Sequence, residues 1–416
     1  MTRHLLVALL LLPGLVAAPG VLGAQEEGLE GSLSGSFKSS FFLVRDADFR
    51  ETTAGIASNS LRLSGSLYPS EWLALEGAYR IFPEVRSPTP AEGAMLAPKA
   101  PVAEYRVADL PPRAFPPEEG SVDNAAIYQD LDRAFAGITL PFADIDLGRQ
   151  AISWGTARVV RPTDVIVPFS FAEVDTEYRR GVDAARVRIP IGSFNEIEAG
   201  AIFGEDFAPE QSAFYLRPGF YLWETDLAFL GMVFRENLLG GLSVSRAIGE
   251  AGAWAEAAYV APNGAGGASE SSADDYLTAS VGADRNLDSD VYGYVEYHFN
   301  GAGARSPGDY LSTATGPAYN AGNVYLLGRH YMAVGGTYSA APLLPMDALV
   351  VVNLTDGSGE LTFSAEYNFK ENVYVSGGLI LGVGPEPETV GGVPRRYRSE
   401  FGAYPEVFYT RVKLYF

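Results

Sequence analysis

From Tyr404 to Phe416 the chain reads YPEVFYTRVKLYF, and counting back from Phe416 its side chains sort onto two faces with strict period two. Leu414, Val412, Thr410 and Phe408 fall on one face; Tyr415, Lys413, Arg411 and Tyr409 fall on the other. Helical spacing does not produce that sorting, so the segment is a strand. A strand with one apolar and one wet face at the end of a long chain is what closing a barrel in a membrane requires. In lipid, an open edge would leave backbone amides and carbonyls without partners.

The same alternation recurs along the chain. In 361–370, Leu361, Phe363, Ala365, Tyr367 and Phe369 oppose Thr362, Ser364, Glu366, Asn368 and Lys370. In 291–299, Val291, Gly293, Val295, Tyr297 and Phe299 oppose Tyr292, Tyr294, Glu296 and His298. Further strands are expected at 31–44, 56–68, 71–82, 127–140, 144–154, 182–190, 195–204, 211–217, 220–234, 238–247, 251–260, 275–284, 325–338, 345–354 and 373–383. The expected fold is all-β, a transmembrane antiparallel barrel of roughly 16 to 18 strands. Short links such as Pro69-Ser70, Pro141 to Ala143, Gly192 to Phe194 and Pro218-Gly219 fall on one side of the count, and most long links fall on the other. That parity matches short periplasmic turns and long outer loops.

The beginning of the chain agrees with this reading. Met1 to His4 is basic, Leu5 to Val16 is apolar, and Val21 to Ala24 is a small-residue exit, so residues 1–24 read as a signal peptide and 25–416 as the barrel. Pro13 and Gly14 interrupt the apolar run, which is shorter than the roughly 18 to 20 residues a spanning helix needs. Residues 83–126 carry Pro88, Pro90, Pro98, Pro101, Pro111, Pro112, Pro116 and Pro117, and proline cannot donate to a ladder. This segment is an excursion from the wall, either a mobile outer loop or a loop folded into the lumen.

Composition excludes several functions. There is no cysteine, which removes disulfides, thiolate catalysis and Cys-ligated metals. A formal charge of −21 argues against nucleic acid as a partner. Beyond residue 24 only His298 and His330 remain, with no serine or acid marked out beside them, so catalysis has little support. Asp284, Asn286, Asp288 and Asp290 mimic the start of a calcium loop, but Ser289 and Val295 stand where its glycine and bidentate glutamate belong. No metal or cofactor is expected.

The chain resembles Gram-negative outer-membrane β-barrels, whose final strand ends in Phe. The resemblance implies localisation in the outer membrane and a role for Phe416, Leu414, Val412 and Phe408 as the signal read by the barrel-assembly machinery. Gly148-Arg149-Gln150 followed by Trp154-Gly155 is similar to a strand-and-loop signature in porin and alginate-export-type channels. It implies that Arg149, Arg158 and Arg161 steer anionic solutes. The likeness leaves room for a homotrimer.

Between 147 and 188 lie Arg149, Arg158, Arg161, Arg179, Arg180, Arg186 and Arg188, a concentration of cations in an acidic chain. The parity of Arg149 is awkward, because Ile145, Leu147 and Ala151 share its face; either a bulge reverses the face or the register differs. Arg186 and Arg188 point inward. They offer bidentate donors to anions, or they brace the wall against Asp175, Glu177 and Asp183. Inward acids are expected at Glu76, Glu196, Glu198, Glu256, Glu296 and Glu366, giving a basic strip on an acidic wall. The function expected is a porin-like channel for passive diffusion of small hydrophilic solutes. The alternatives are a selective channel for anionic sugars or organic acids, and a structural or adhesion barrel with a blocked lumen.

Overall fold

The computed structural model describes residues 30–45, 53–87, 105–117, 124–169, 173–262, 264–265, 274–320, 324–390 and 393–416. The signal-peptide reading of 1–24 lies outside them, as do 88–104 and 118–123 of the proline-rich excursion. The wall consists of β1 (Glu30–Arg45), β2 (Thr53–Ser70), β3 (Leu73–Arg86), β4 (Ala125–Leu140), β5 (Ala143–Gln150), β6 (Val182–Ile191), β7 (Asn195–Ile202), β8 (Ala213–Leu222) and β9 (Thr225–Phe234). It continues through β10 (Asn237–Ile248), β11 (Ala251–Ala261), β12 (Tyr276–Asp288), β13 (Val291–Asn300), β14 (His330–Ala341), β15 (Leu344–Asn353), β16 (Gly359–Lys370), β17 (Val373–Val383) and β18 (Glu406–Tyr415).

Each strand pairs antiparallel with the next, and β18 returns to β1, running from Ser36 opposite Tyr415 to Arg45 opposite Glu406. The result is a closed 18-stranded barrel with no free edge. Phe416 extends the closure: Gly35 N–H donates to its carbonyl at 2.7 Å, and its own N–H donates to Gly35 at 3.0 Å. A side chain at Gly35 would run into the Phe416 ring, so glycine makes room there.

The expected faces are observed. Phe408 and Val412 are exposed on the outside while Arg411 is buried inside; Phe363 and Tyr367 face outward on β16; Val295 faces outward beside inward Glu296. Trp72, Phe142, Phe194 and Trp223 sit exposed at the short turns, where aromatic rings belong at a bilayer boundary. Because the outward band is apolar, Val281→Arg, at mid-strand on β12, is expected to cost ~2–4 kcal/mol in urea unfolding from lipid.

Several boundaries differ from expectation. Pro218-Gly219 is no turn: β8 runs through it to Leu222, and the turn is Trp223-Glu224. Pro218 sits where β8 and β9 lack ladder pairs, so its missing N–H costs nothing there. Pro83 likewise lies within β3, opposite Ile127, so the excursion begins later. β5 ends at Gln150 rather than 154, and β14 begins at His330 rather than 325, because both flanks turn into the lumen.

The hydrophobic core lies inside the barrel, between inward wall residues and loops. One cluster joins Trp154, Ile166, Ile202, Tyr215 and Leu230; the other joins Val160, Tyr310, Leu327, Tyr331 and Phe401.

Candidate functional site: a lumenal strap

The strap comprises the described residues 151–169 and 173–181 between β5 and β6, and its entry is set by one glycine. Gly148 has φ 119°, a conformation that L side chains rarely adopt, and it turns the backbone so that Leu147 stays exposed outside while Arg149 is buried inside. The awkward parity of Arg149 is therefore resolved by a local reversal of the face. Arg149 holds Asp183 at 2.7 Å and Asp109 at 2.8 Å, and it donates to the carbonyls of Ala108 and Leu131. Thus 105–109, the described inner part of the excursion, is folded inward. Arg106 ties it to Gly181 O at 3.1 Å and to Asp130. Burial alone would raise the Asp109 carboxyl, but Arg106 and Arg149 hold it below its ordinary value.

Three wall glutamates grip the near half of the strap. Glu296 accepts the N–H groups of Arg158 (2.7 Å), Val159 and Val160 (2.9 Å), together with Trp254 Nε1 (2.9 Å). Glu256 accepts Thr156 N (2.7 Å), Ala157 N (2.9 Å), Thr163 N (2.8 Å) and the Thr163 hydroxyl (2.7 Å). Glu198 receives Trp154 Nε1 at 3.2 Å and Tyr215 OH at 2.8 Å. A carboxylate accepting several N–H groups serves as a local template for an irregular backbone that would otherwise be unsatisfied.

The far half lands on the opposite wall. Lys38 on β1 pairs with Asp175 and Glu177, each at 2.8 Å, Tyr415 OH donates to Glu177 at 2.7 Å, and Arg62 lies over the Tyr178 ring at 4.1 Å. Burial works against charge on Asp175 and Glu177, yet contact with Lys38 keeps both carboxyls below their ordinary values. The strap therefore crosses the lumen and is fixed at both walls.

Against the strap lies a cavity of about 430 Å³, lined in part by Arg158, Arg161, Asp164, His298, Asn300 and Asp347. Arg158 is half exposed and pairs with Asp284 at 2.7 Å. Arg161 is exposed, bonds only Ala157 O at 2.9 Å, and enters no ion pair among the described residues. Asp164 is buried and pairs with Arg179 at 2.9 Å; burial pushes its carboxyl up to about 6 despite that partner. Asp164 Oδ1 and Asn300 Oδ1 are both buried without a hydrogen-bond partner.

The other arginines singled out in the sequence brace the wall, through acids different from those expected. Arg186 contacts Glu198 at 3.0 Å, an ion contact rather than an aligned hydrogen bond, and Arg188 pairs with Asp146 at 3.0 Å. Asp175 and Glu177 belong to Lys38, and Asp183 belongs to Arg149. Glu366 faces the lumen and pairs with Lys413 at 2.6 Å. Glu296, expected to line the pore, is buried beneath the strap. Sequence reasoning missed the gripping role of Glu198, Glu256 and Glu296, although all three read as inward acids; strand parity places a side chain but does not say what folds onto it. His298 was noted without a partner, and the structure supplies one. Ser280 donates to Val160 O at 2.6 Å, so His298 Nδ1, 2.9 Å away, is left to donate to Ser280.

Closed wall, inward strap and lumenal charge together define a transmembrane β-barrel of porin-like architecture. No family model and no curated protein matches the chain. Solved structures do share its fold. OccAB4 of Acinetobacter baumannii aligns with TM-score 0.56 at 10% identity over 93% of this chain and 98% of that one. The outer membrane protein OpdK of Pseudomonas aeruginosa gives TM-score 0.54 at 10% identity, covering 93% and 98%. OccD3 (OpdP) of the same organism gives 0.52 at 12%, covering 92% and 91%.

Proposed function

We propose that the protein is an outer-membrane channel for passive diffusion of small hydrophilic solutes, with the strap setting the narrowest passage. The observation that carries this reading is the strap anchored across a closed 18-stranded wall, beside a cavity edged by the exposed guanidiniums of Arg158 and Arg161. A wall of this strand number is too wide for its own side chains to fill, so inward loops and charges decide what passes.

A second reading, selectivity for anionic sugars or organic acids, is favoured by the same cavity. Arg158 and Arg161 offer planar donors to a carboxylate. Steps of conductance in a planar bilayer test the channel, and their absence would favour a blocked structural barrel. Arg158→Gln with Arg161→Gln is expected to move the reversal potential toward cations, whereas Arg186→Gln with Arg188→Gln is expected to move it less, because Glu198 and Asp146 neutralise those two in place while Arg161 enters no ion pair among the described residues. Equal shifts from the two pairs would sink the assignment.

A further inference from the structure

A second group of acids, two buried and one half-buried, lies away from the strap's anchors, where the described loop residues 301–320, 324–329, 384–390 and 393–405 meet the end of the wall. Glu400 is fully buried. It accepts Leu327 N at 2.9 Å, Asn353 Nδ2 at 2.7 Å, Tyr404 OH at 3.4 Å, Gly328 N at 3.4 Å and the Tyr331 hydroxyl. One carboxyl thereby ties the loop 301–329, the end of β15, the start of β14 and its own loop.

Beside it, Asp356 in the β15–β16 turn accepts Glu400 N at 2.8 Å, Tyr310 OH at 2.6 Å and Asn353 Nδ2 at 3.2 Å. Glu360 completes the group and differs from the other two. It is buried, its Oε2 has no hydrogen-bond partner, and its Oε1 has only Thr362 at 3.4 Å. The other titratable groups facing the cluster include Tyr310, Tyr319, Tyr325, Tyr331 and Tyr404. Among the described residues, no lysine or arginine is a leading influence on Glu360 or Glu400.

Two buried carboxyls beside a half-buried third cannot all be ionised at low cost without a cation. Asp356 and Glu400 are supplied with donors and Glu360 is not, but burial disfavours charge on Glu400 as well, so the two buried carboxyls share the role of holding a proton. We propose that Asp356, Glu360 and Glu400 form a proton-operated latch that keeps the loop residues 301–320, 324–329, 384–390 and 393–405 docked inside the barrel. The docked loops pack Tyr310, Leu327 and Phe401 against Val159 and Val160 of the strap, so their release widens the space around it.

The sign follows from linkage. Burial raises the Glu400 carboxyl from its ordinary 4.5 to about 7. A group whose pKa is raised in the docked state contributes fully to docking below about 4.5. That contribution declines as pH climbs to about 7 and is constant above it. Over that interval the docking equilibrium is expected to weaken by about three hundredfold.

The consequence for flow rests on the channel reading; the latch itself does not, and two readouts keep them apart. The chain contains no cysteine, so a nitroxide at Arg396→Cys, an exposed position on the loop 384–405, reports docking directly. Its spectrum is expected to pass from immobile to mobile between pH 4.5 and 7, to respond less in Glu360→Gln or Glu400→Gln alone, and to stay immobile throughout when the two substitutions are combined. In planar bilayers, conductance is expected to rise over the same interval in the parent and to rise less in Glu360→Gln. A label equally mobile at both pH values, or one whose pH response survives the combined Glu360→Gln and Glu400→Gln substitutions, overturns the latch. Absence of conductance with a pH-responsive label overturns only the channel reading.

Discussion

Glu296→Ala is expected to release the near half of the strap and to raise single-channel conductance. Truncation strands the N–H groups of Arg158, Val159 and Val160 and the indole N–H of Trp254, all of which converge on that carboxylate. A buried donor left without an acceptor costs about 1–3 kcal/mol, so four of them cannot stay where they are. The strap relieves them by moving into water, which caps the net loss at about 3–5 kcal/mol and converts the remainder into altered shape. Glu256 then holds Thr156, Ala157 and Thr163 alone. Glu296→Gln keeps one acceptor oxygen and is expected to fall between parent and alanine variant. Conductance and urea midpoint both unchanged in Glu296→Ala would show that the carboxylate does not hold the strap.

The second large effect is expected from Gly148→Ala. At φ 119° a β-carbon is strained on its own account, and here it would also lie 2.3 Å from Ala134 O and 3.0 Å from Phe135 Cα. Both neighbours are backbone of β4 and cannot swing aside. Strain and overpacking together are expected to cost about 2–5 kcal/mol, read as a lowered urea midpoint. Relief would come from restoring a regular strand, which sends Arg149 toward the lipid side and uncouples Asp109 and Asp183. Gly240→Ala is the comparison: nothing lies within 4 Å of its built β-carbon, and its midpoint is expected to stay close to the parent's. A Gly148→Ala midpoint as high as that of Gly240→Ala would show that the reversal of face does not depend on glycine.

The wall was legible because its code is local. Period-two alternation in 361–370 and 404–416 sorts side chains before any partner is known, and link lengths orient the strands. The places where this reading slipped are those where a local signal has two meanings. Pro218-Gly219 reads as a turn, yet β8 passes through it at a gap in the ladder; Leu147 and Arg149 share a parity that Gly148 undoes.

The lumen is another matter. Arg186 and Arg188 look alike to Arg158 and Arg161 in sequence, but the first pair is held by Glu198 and Asp146 on the wall, while Arg158 and Arg161 edge a cavity. Glu296 and Glu366 carry the same parity, yet one is sealed under backbone amides and the other meets Lys413.

By itself, then, the sequence determined the closed wall, its inward and outward faces and the pairing of its last strand with its first, because alternation and closure act between adjacent residues and adjacent strands. Only the tertiary structure decided which inward charges are spent on holding the strap and which remain beside the cavity. Those partners, such as Lys38 with Asp175 or Arg158 N with Glu296, lie more than a hundred residues apart and meet only once the barrel has brought opposite walls around a common lumen.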